Sequence, residues 1–467
     1  KVQTNDLAQG SIEGDNLLKP EIHHSSFPNL KGISRQGDTK VENKNANEGD
    51  VVQDGQSRVK ASILTASSDR GKVQNTIPTS KTNSLQKRVR QRRKPKNYNE
   101  INEMIKRSKN SSKENSLDFS NFKSKMGDIS TIRSISVKAI LEAIKEDSDL
   151  KSSLTSLNFS ENSMSKDELK AIAEVLNTLP LKKLYLNKYK IIDCMKYEQA
   201  ISHFVRAVKN NQSLTHLFLS GNNLQCPGIN IILQAIKGNA FLLLTHLDLG
   251  ENLIRRHGGN YIAEALEDHN CKLTYLDLRK NKLGYYGANA IAEALRVNQT
   301  LLYLNLSNND LNYGVVEIIT EALKDNQALL YLDLSNNQIE FEFEKTGVDI
   351  AKAIAENRTL LYFDLCFNKM GNRVAISFLK TLVEKVETDP ENFKLKYLDL
   401  SNNLIGYEGF MKIYRAILKS SKKRISFYLN IYNENIDLIN NSNLKSLQTV
   451  LPPKPLLPES LPEELKP

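Results

Sequence analysis

The sequence predicts an α/β solenoid, in which each repeat pairs one short parallel strand with one helix. Three observations carry this expectation. First, one frame recurs. Leu273-Thr-Tyr-Leu276-Asp-Leu278-Arg-Lys-Asn281-Lys-Leu283 returns as Leu301-Leu-Tyr-Leu304-Asn-Leu306-Ser-Asn-Asn309, as Leu329-Leu-Tyr-Leu332-Asp-Leu334-Ser-Asn-Asn337 and as Leu395-Lys-Tyr-Leu398-Asp-Leu400-Ser-Asn-Asn403. Second, the period holds. The aligned slot reads Asn162, Tyr189, Asn222, Asn252, Asn281, Asn309, Asn337, Asn368 and Asn403, at steps of 27 to 35 residues, which is the mark of stacked supersecondary units. Third, a helical run follows each frame, as in Ala290-Ile-Ala-Glu-Ala-Leu295, with Ile291 and Leu295 on one face.

Residues 1–133 are rich in Ser, Asn, Lys, Gln and Gly and keep no helix or strand period. Such a segment buries too little apolar surface to offset its ordering entropy, so the reading is a disordered basic arm. A short helix is expected near Tyr98–Lys106. The arm holds 25 Lys/Arg against 15 Asp/Glu, whereas the remainder holds 39 of each, so the net charge of +10 belongs to the arm. Its densest run is Lys87, Arg88, Arg90, Arg92, Arg93, Lys94 and Lys96. This run suits a nuclear-import signal or a patch for nucleic acid or anionic lipid, or else a solvated charge run. Nucleic acid is not the expected partner, because only Tyr98 lies nearby to stack on bases.

From Ser134 the pattern changes. Ile135, Val137, Ile140, Leu141 and Ile144 fall at helical spacing, and residues 134–150 read as an N-terminal capping segment with its helix over 134–147. A solenoid end needs such a cover because its last apolar face has no neighbour. The array itself is expected over 151–432, about nine to ten repeats. Within each frame the fourth and sixth positions point to the core, being two apart on a strand. The Asn three residues later is expected to bond backbone groups of its own and the neighbouring turn. A Gly (Gly228, Gly258, Gly287, Gly314, Gly347, Gly409) is expected to precede each helix. Four helices are expected to stop at Asn270, Asn298, Asn326 and Asn357, since Asn tolerates the left-handed conformation. Insertions at Glu340–Thr346 and about Glu387–Phe393 read as rim loops. Ile425–Ile436 reads as a decayed final repeat, and 433–467 as a Pro-rich tail of extended, polyproline-like character, suited to an SH3- or WW-type groove or simply a flexible terminus.

The frame LxxLxLxxNxL, a Gly soon after and the helix at 290–295 resemble the ribonuclease-inhibitor type of leucine-rich repeat over about residues 134–432. The resemblance implies a leucine-rich-repeat horseshoe solenoid, with parallel strands on the concave face, helices outside, and disordered N- and C-terminal tails. It is nearly silent on function.

Two columns of side chains are expected to face the concave opening. One is Ser156, Lys183, His216, His246, Tyr275, Tyr303, Tyr331, Tyr362, Tyr397; the other is Asn158, Tyr185, Phe218, Asp248, Asp277, Asn305, Asp333, Asp364, Asp399. Tyr275, Tyr303, Tyr331, Tyr362 and Tyr397, with Asp248, Asp277, Asp333, Asp364 and Asp399, are the candidate partner-binding residues. Tyr offers apolar area with a polar tip, and the Asp column attracts cationic groups of a partner. Water is expected to bathe the Asp column and relieve its repulsion. His216 and His246 share a column without a third ligand and read as two exposed histidines rather than a metal site.

No catalytic set is visible: no nucleophile–base–orienter group, no phosphate-binding Gly loop and no H-E-x-x-H. Cofactor and metal are therefore both expected to be none. The four cysteines (Cys194, Cys226, Cys271, Cys366) are far apart, which suits a reducing compartment, cytoplasmic or nuclear. No apolar run reaches membrane-spanning length. The expected function is a non-enzymatic protein-interaction scaffold binding a partner protein through the concave or rim surface. The Asn/Lys/Ile-rich composition and the tail, with Glu459, Glu463, Glu464 and Leu465, resemble host-directed effectors of intracellular bacteria and their export signals, which implies action inside a host cell. The alternative is a GTPase-activating protein, since Ran GTPase activators share this repeat type, though they carry an acidic C-terminal segment where this chain is Pro-rich. A third reading, the sensor end of an immune-type receptor, lacks its nucleotide-binding module here.

Overall fold

In the computed structural model the described residues are 98–111, 115–121, 135–162, 165–189, 198–239, 241–312, 314–420 and 428–431. By compactness the chain divides into Lys1–Arg88 and Val89–Pro467, and everything described belongs to the second unit. The basic run at 87–96, Cys194 and the Pro-rich tail lie outside the described residues.

The described residues form one parallel sheet of eleven strands in sequence order. The strands are β1 Ser116–Asp118, β2 Ser156–Asn158, β3 Lys183–Tyr185, β4 His216–Phe218, β5 His246–Asp248, β6 Tyr275–Asp277, β7 Tyr303–Asn305, β8 Tyr331–Asp333, β9 Tyr362–Asp364, β10 Tyr397–Asp399 and β11 Tyr428–Asn430. The helices are α1 Tyr98–Ser111, α2 Val137–Glu146, α3 Ser148–Ser153, α4 Lys166–Leu176, α5 Glu198–Asn210, α6 Gln225–Ile236, α7 Arg255–Leu266, α8 Gly284–Val297, α9 Val315–Asp325, α10 Glu344–Glu356, α11 Asn372–Thr388 and α12 Tyr407–Ser420. Each repeat adds a strand and returns by a helix on one side, so the register never slips: Tyr275 pairs with Tyr303, Tyr303 with Tyr331, and Tyr331 with Tyr362.

The core runs between sheet and helices. Leu273, Leu276, Leu278 and Leu283 are buried, and so are Ile291, Ala292 and Leu295 of α8. A single repeat has no second wall for these groups, so stacking supplies it. Exposed ion pairs join neighbouring helices, such as Lys237–Glu264 at 2.8 Å and Arg296–Asp325 at 2.8 Å. Each contributes at most about 1 kcal/mol, so apolar burial and the buried amides carry the array.

Those amides form two ladders. In the first, Asn281 Oδ1 accepts the Asn252 N–H at 2.8 Å, while Nδ2 donates to the carbonyls of Leu249 at 2.9 Å and Leu278 at 2.8 Å. Asn309 and Asn337 repeat the pattern one step on. The second ladder is made by the helix-end asparagines, and it corrects the expected left-handed stop. Asn298, Asn326 and Asn357 have negative φ of −76°, −81° and −71°. Asn326 instead donates to the carbonyls of Leu295 and Asn298, both at 2.8 Å, and its Oδ1 accepts the N–H groups of Ala328 and Leu329. It covers the open helix end of the preceding repeat. Asn270 is not such a cap; α7 ends at Leu266, with Glu267 as its C-cap.

Four further expectations change. The arm does not extend to residue 133: α1 buries Ile101, Met104 and Ile105, and β1 pairs with β2 in register. The array therefore begins before residue 134, and α2 is the helix between the first two strands rather than the cap. The cover is α1. The glycines at 228, 258, 287, 347 and 409 lie inside the first turns of their helices, not before them. At Gly347 a side chain has no room: a Cβ would stand 2.6 Å from the Val374 carbonyl oxygen of the next helix. Gly314 alone fits the expectation, as the N-cap of α9 with φ 80°. The two insertions are partly helical, since α10 starts at Glu344 and α11 runs on to Thr388. Finally, the decayed repeat supplies a true edge strand, Tyr428–Asn430, paired in register with β10.

Candidate functional site

The two columns fall on the sheet face opposite the helices, as strand alternation requires. The first is a continuous stack of eight rings: His216, His246, Tyr275, Tyr303, Tyr331, Tyr362, Tyr397 and Tyr428. The four Tyr–Tyr steps from Tyr275 to Tyr397 each measure 4.2 Å between centroids. Parallel strands stand roughly 4.8 Å apart, so over these four steps the rings lie slightly closer than the strands that carry them. The stack shelters itself: Tyr303 is 4% exposed and Tyr362 7%. Burial pushes the phenols far above their ordinary range.

The histidines belong to this stack, which corrects their reading as two exposed groups. Their rings lie 3.9 Å apart and His246 is buried. Each Nδ1 faces the hydroxyl of the preceding threonine, Thr215 at 2.8 Å and Thr245 at 2.9 Å. Burial, then His246 and Lys183, push His216 down to about 3.

The second column runs from Asn158 through Tyr185, stacked on Phe218 at 4.3 Å, and continues with Asp248, Asp277, Asn305, Asp333, Asp364 and Asp399. Sequence reasoning missed what these Asp and Asn side chains do. Each Oδ1 accepts the backbone N–H two residues on, in Gly250, Arg279, Ser307, Ser335, Cys366 and Ser401. This is an Asx-turn, which bends the chain out of the strand. The signal was available: short acceptors Asp and Asn alternate freely at this one position. Water does not bathe the column either, since Asp277, Asp364 and Asp399 are all buried. Burial, then Asp333 and Asp399, push the Asp364 carboxyl up to about 7. Burial and Asp248 also raise Asp277, against the pull of Arg279, which contacts the carboxylates of both Asp277 and Asp248. The second oxygens of Asp364 and Asp399 accept the hydroxyls of Tyr362 at 3.4 Å and Tyr397 at 2.9 Å, so the two columns are cross-linked.

Asp364, Cys366 and Asp399 bring their ligand atoms within 4.8 Å of one another. Their carboxylates are already engaged in turns and phenol bonds, and burial raises the Cys366 thiol, so the chemistry of this cluster is that of the turn. Cys226, Cys271 and Cys366 are free thiols.

Beside the tyrosine column, just before β7, β8 and β9, runs a row of leucines that sequence reasoning passed over. Leu302, Leu330 and Leu361 precede the ladder tyrosines. They are half-buried, and Leu302 and Leu330 pack against the rings. Backbone bonds hold the three in register, Leu330 N–H to the Leu302 carbonyl and Leu361 N–H to the Leu330 carbonyl, both 2.8 Å.

The comparison with family models agrees with this architecture. A family model described as Leucine Rich repeat matches residues 269–292, 297–314 and 391–413. With the repeated strand–helix units and the Asn ladder, the chain is a leucine-rich repeat protein. Solved structures similar to it include the leucine-rich repeat-containing protein LegL7 from Legionella pneumophila, at 18% identity and a TM-score of 0.38, covering 66% of this chain and 91% of that one. Another is a TLR13–ssRNA13 complex, at 16% identity and a TM-score of 0.36, covering 60% of this chain and 40% of that one. No curated protein sequence matches the chain. No helix among the described residues is long and apolar enough to cross a membrane.

Proposed function

We propose that the chain is a non-enzymatic scaffold that binds a partner protein on the sheet face, along the strip formed by Leu302, Leu330 and Leu361 and the edges of Tyr303, Tyr331 and Tyr362. The observation that carries this is the half-buried leucine row, held in register beside the aromatic stack. A flat apolar strip on a pre-organised support suits a protein surface, because little ordering entropy is lost when the partner arrives. The buried Asp column supplies a polar, proton-holding margin to the strip rather than a free row of charges. A host-directed role is the finer reading, and it rests on composition and tail alone.

The test is affinity purification with the full chain beside the L302S/L330S/L361S variant, with folding followed by circular dichroism. Loss of the proteins captured by the parent, at unchanged secondary structure, supports the strip. Equal capture by both moves the site elsewhere.

A further inference from the structure

The strand-exit rim of the last repeats carries apolar groups that the fold does not need. In other repeats the residue before the ladder slot is polar and has positive φ, as at Lys188, Glu251, Lys280, Asn308, Asn336 and Asn402. After β9 the same position is Phe367, with φ 53° and 51% of its surface exposed. A bulky ring held in the left-handed conformation and left in water costs stability twice, which points to a use outside the fold. It has company: Phe343 before α10, and Leu404 and Tyr407 in the repeat of β10, are exposed too. Backbone bridges tie the three exits together, Glu340 to Lys369 and Gly371 to Leu404. The four side chains therefore stand on three consecutive repeats of one rim. At roughly 100 Å² open on each, they present about 400 Å² of apolar surface, the size at which such a patch marks a contact site.

We propose that this rim is a two-fold contact between two copies of the chain. The charges around the apolar groups favour that occupant. Glu340–Lys369 and Glu344–Arg373, both at 2.7 Å, and Glu408–Lys412 at 2.5 Å are closed within the chain. Glu342 and Lys345 are exposed and form no ion pair among the described residues. They flank Phe343 in sequence and carry opposite signs. A rim so balanced offers no net field to a strongly acidic or strongly basic partner. A two-fold contact asks instead that a surface complement itself: where one residue meets a second, the second meets the first. One open acid and one open base satisfy this, with Glu342 of each copy facing Lys345 of the other and the rings between them. Apolar groups at the centre and charges at the margin are the usual anatomy of such a contact. Two copies bury roughly 800 Å² of apolar surface here, less than a standard interface, so the dimer is reversible and half-formed at roughly 10–100 μM. The rim follows the strands whereas the leucine strip precedes them, so dimerisation leaves that strip free.

The experiment is sedimentation equilibrium of the purified full chain over this concentration range, beside Phe367→Asn, Glu342→Lys and Lys345→Glu. Asn already occupies this position at Asn308, Asn336 and Asn402 with positive φ, so F367N keeps the turn and melts no lower than the parent at concentrations where both are monomeric. The parent mass should rise towards twice that of the chain, and F367N should weaken the dimer about tenfold or more, since the ring is lost from both sides of the contact. E342K sets Lys against Lys and K345E sets Glu against Glu, so each alone should dimerise more weakly than the parent. An equal mixture of E342K and K345E meets opposite charge at both points and should recover the parent's association. A parent that stays monomeric up to about 1 mM, well above the expected range, would overturn the proposal. So would a dimer that F367N leaves intact, or a mixture that associates no better than its two components.

Discussion

Tyr303 and Tyr331 lie face to face across β7 and β8, with ring centroids 4.2 Å apart and planes 14° from parallel. Each also stacks on its other neighbour, so every inner ring is covered on both faces. The ladder is therefore part of what holds the array. Tyr331→Ala should destabilise the chain by about 3–5 kcal/mol, the range for truncating a buried aromatic, whereas Tyr331→Phe should cost about 1 kcal/mol, the worth of one hydroxyl bond. Urea unfolding of the two variants, followed by circular dichroism, measures the difference. Similar small losses in both would show that the rings stand free.

The amide ladder gives a second case. Asn309→Ala removes the acceptor of the Asn281 N–H and the donor to the carbonyls of Leu278 and Leu306, all buried. Leaving such groups unpaired costs about 1–3 kcal/mol. Hydrogen exchange at the Asn281 amide should accelerate accordingly, more than at amides two repeats away.

Tyr189 breaks the same ladder. It fills the Asn slot, is fully buried, and its hydroxyl finds no hydrogen-bond partner among the described residues. An unpaired buried hydroxyl is a standing penalty, so Tyr189→Phe should raise stability by about 1 kcal/mol. A lower unfolding midpoint in that variant would mean the hydroxyl is bonded.

The Asp column makes stability depend on pH. The Asp364 carboxyl holds its proton up to about 7 in the folded chain, against 3.8 as its ordinary value. Its contribution is full below 3.8 and is lost as pH rises through 7, because the unfolded chain has by then released the proton. Asn305 shows that an amide serves the same turn, accepting from Ser307 N–H at 2.9 Å. Asp364→Asn should therefore be more stable than the parent at pH 8, by about 1–2 kcal/mol, with the gap narrowing below pH 7 and closing as pH falls towards 3.8. His216 acts in the opposite sense: its value falls from 6.5 to about 3 on folding, so its contribution is present above 6.5 and is lost as pH falls towards 3. Melting curves of parent and variant from pH 4 to 9 check both slopes.

Much of this architecture was legible in the residues. The spacing of Leu276 and Leu278 fixes strand and core side, and the recurrence of Asn281, Asn309 and Asn337 announces a ladder. The first repeat escaped notice because Ser116-Leu-Asp-Phe-Ser-Asn121 lacks the leading leucines and sits amid polar residues. Only its likeness to Ser156-Leu-Asn-Phe-Ser-Glu-Asn162 gives it away. Alternation along a strand told which way Tyr303 and Asp333 point. It could not tell how closely successive columns approach, and that distance decides burial. The use of Asn326 to cover the neighbouring helix end was hidden for the same reason: its partners, Leu295 and Asn298, belong to the preceding repeat.

The account turns on the tyrosine column being an internal spine with the leucine strip at its margin. Ultraviolet titration of phenolate in the folded chain, compared with Y303F/Y331F, tests this most directly. Burial should keep Tyr303 and Tyr331 protonated until the chain unfolds at high pH, so parent and variant should titrate alike while folded and differ only as circular dichroism is lost. A smooth loss of those two protons near pH 10, with the fold intact, would contradict it.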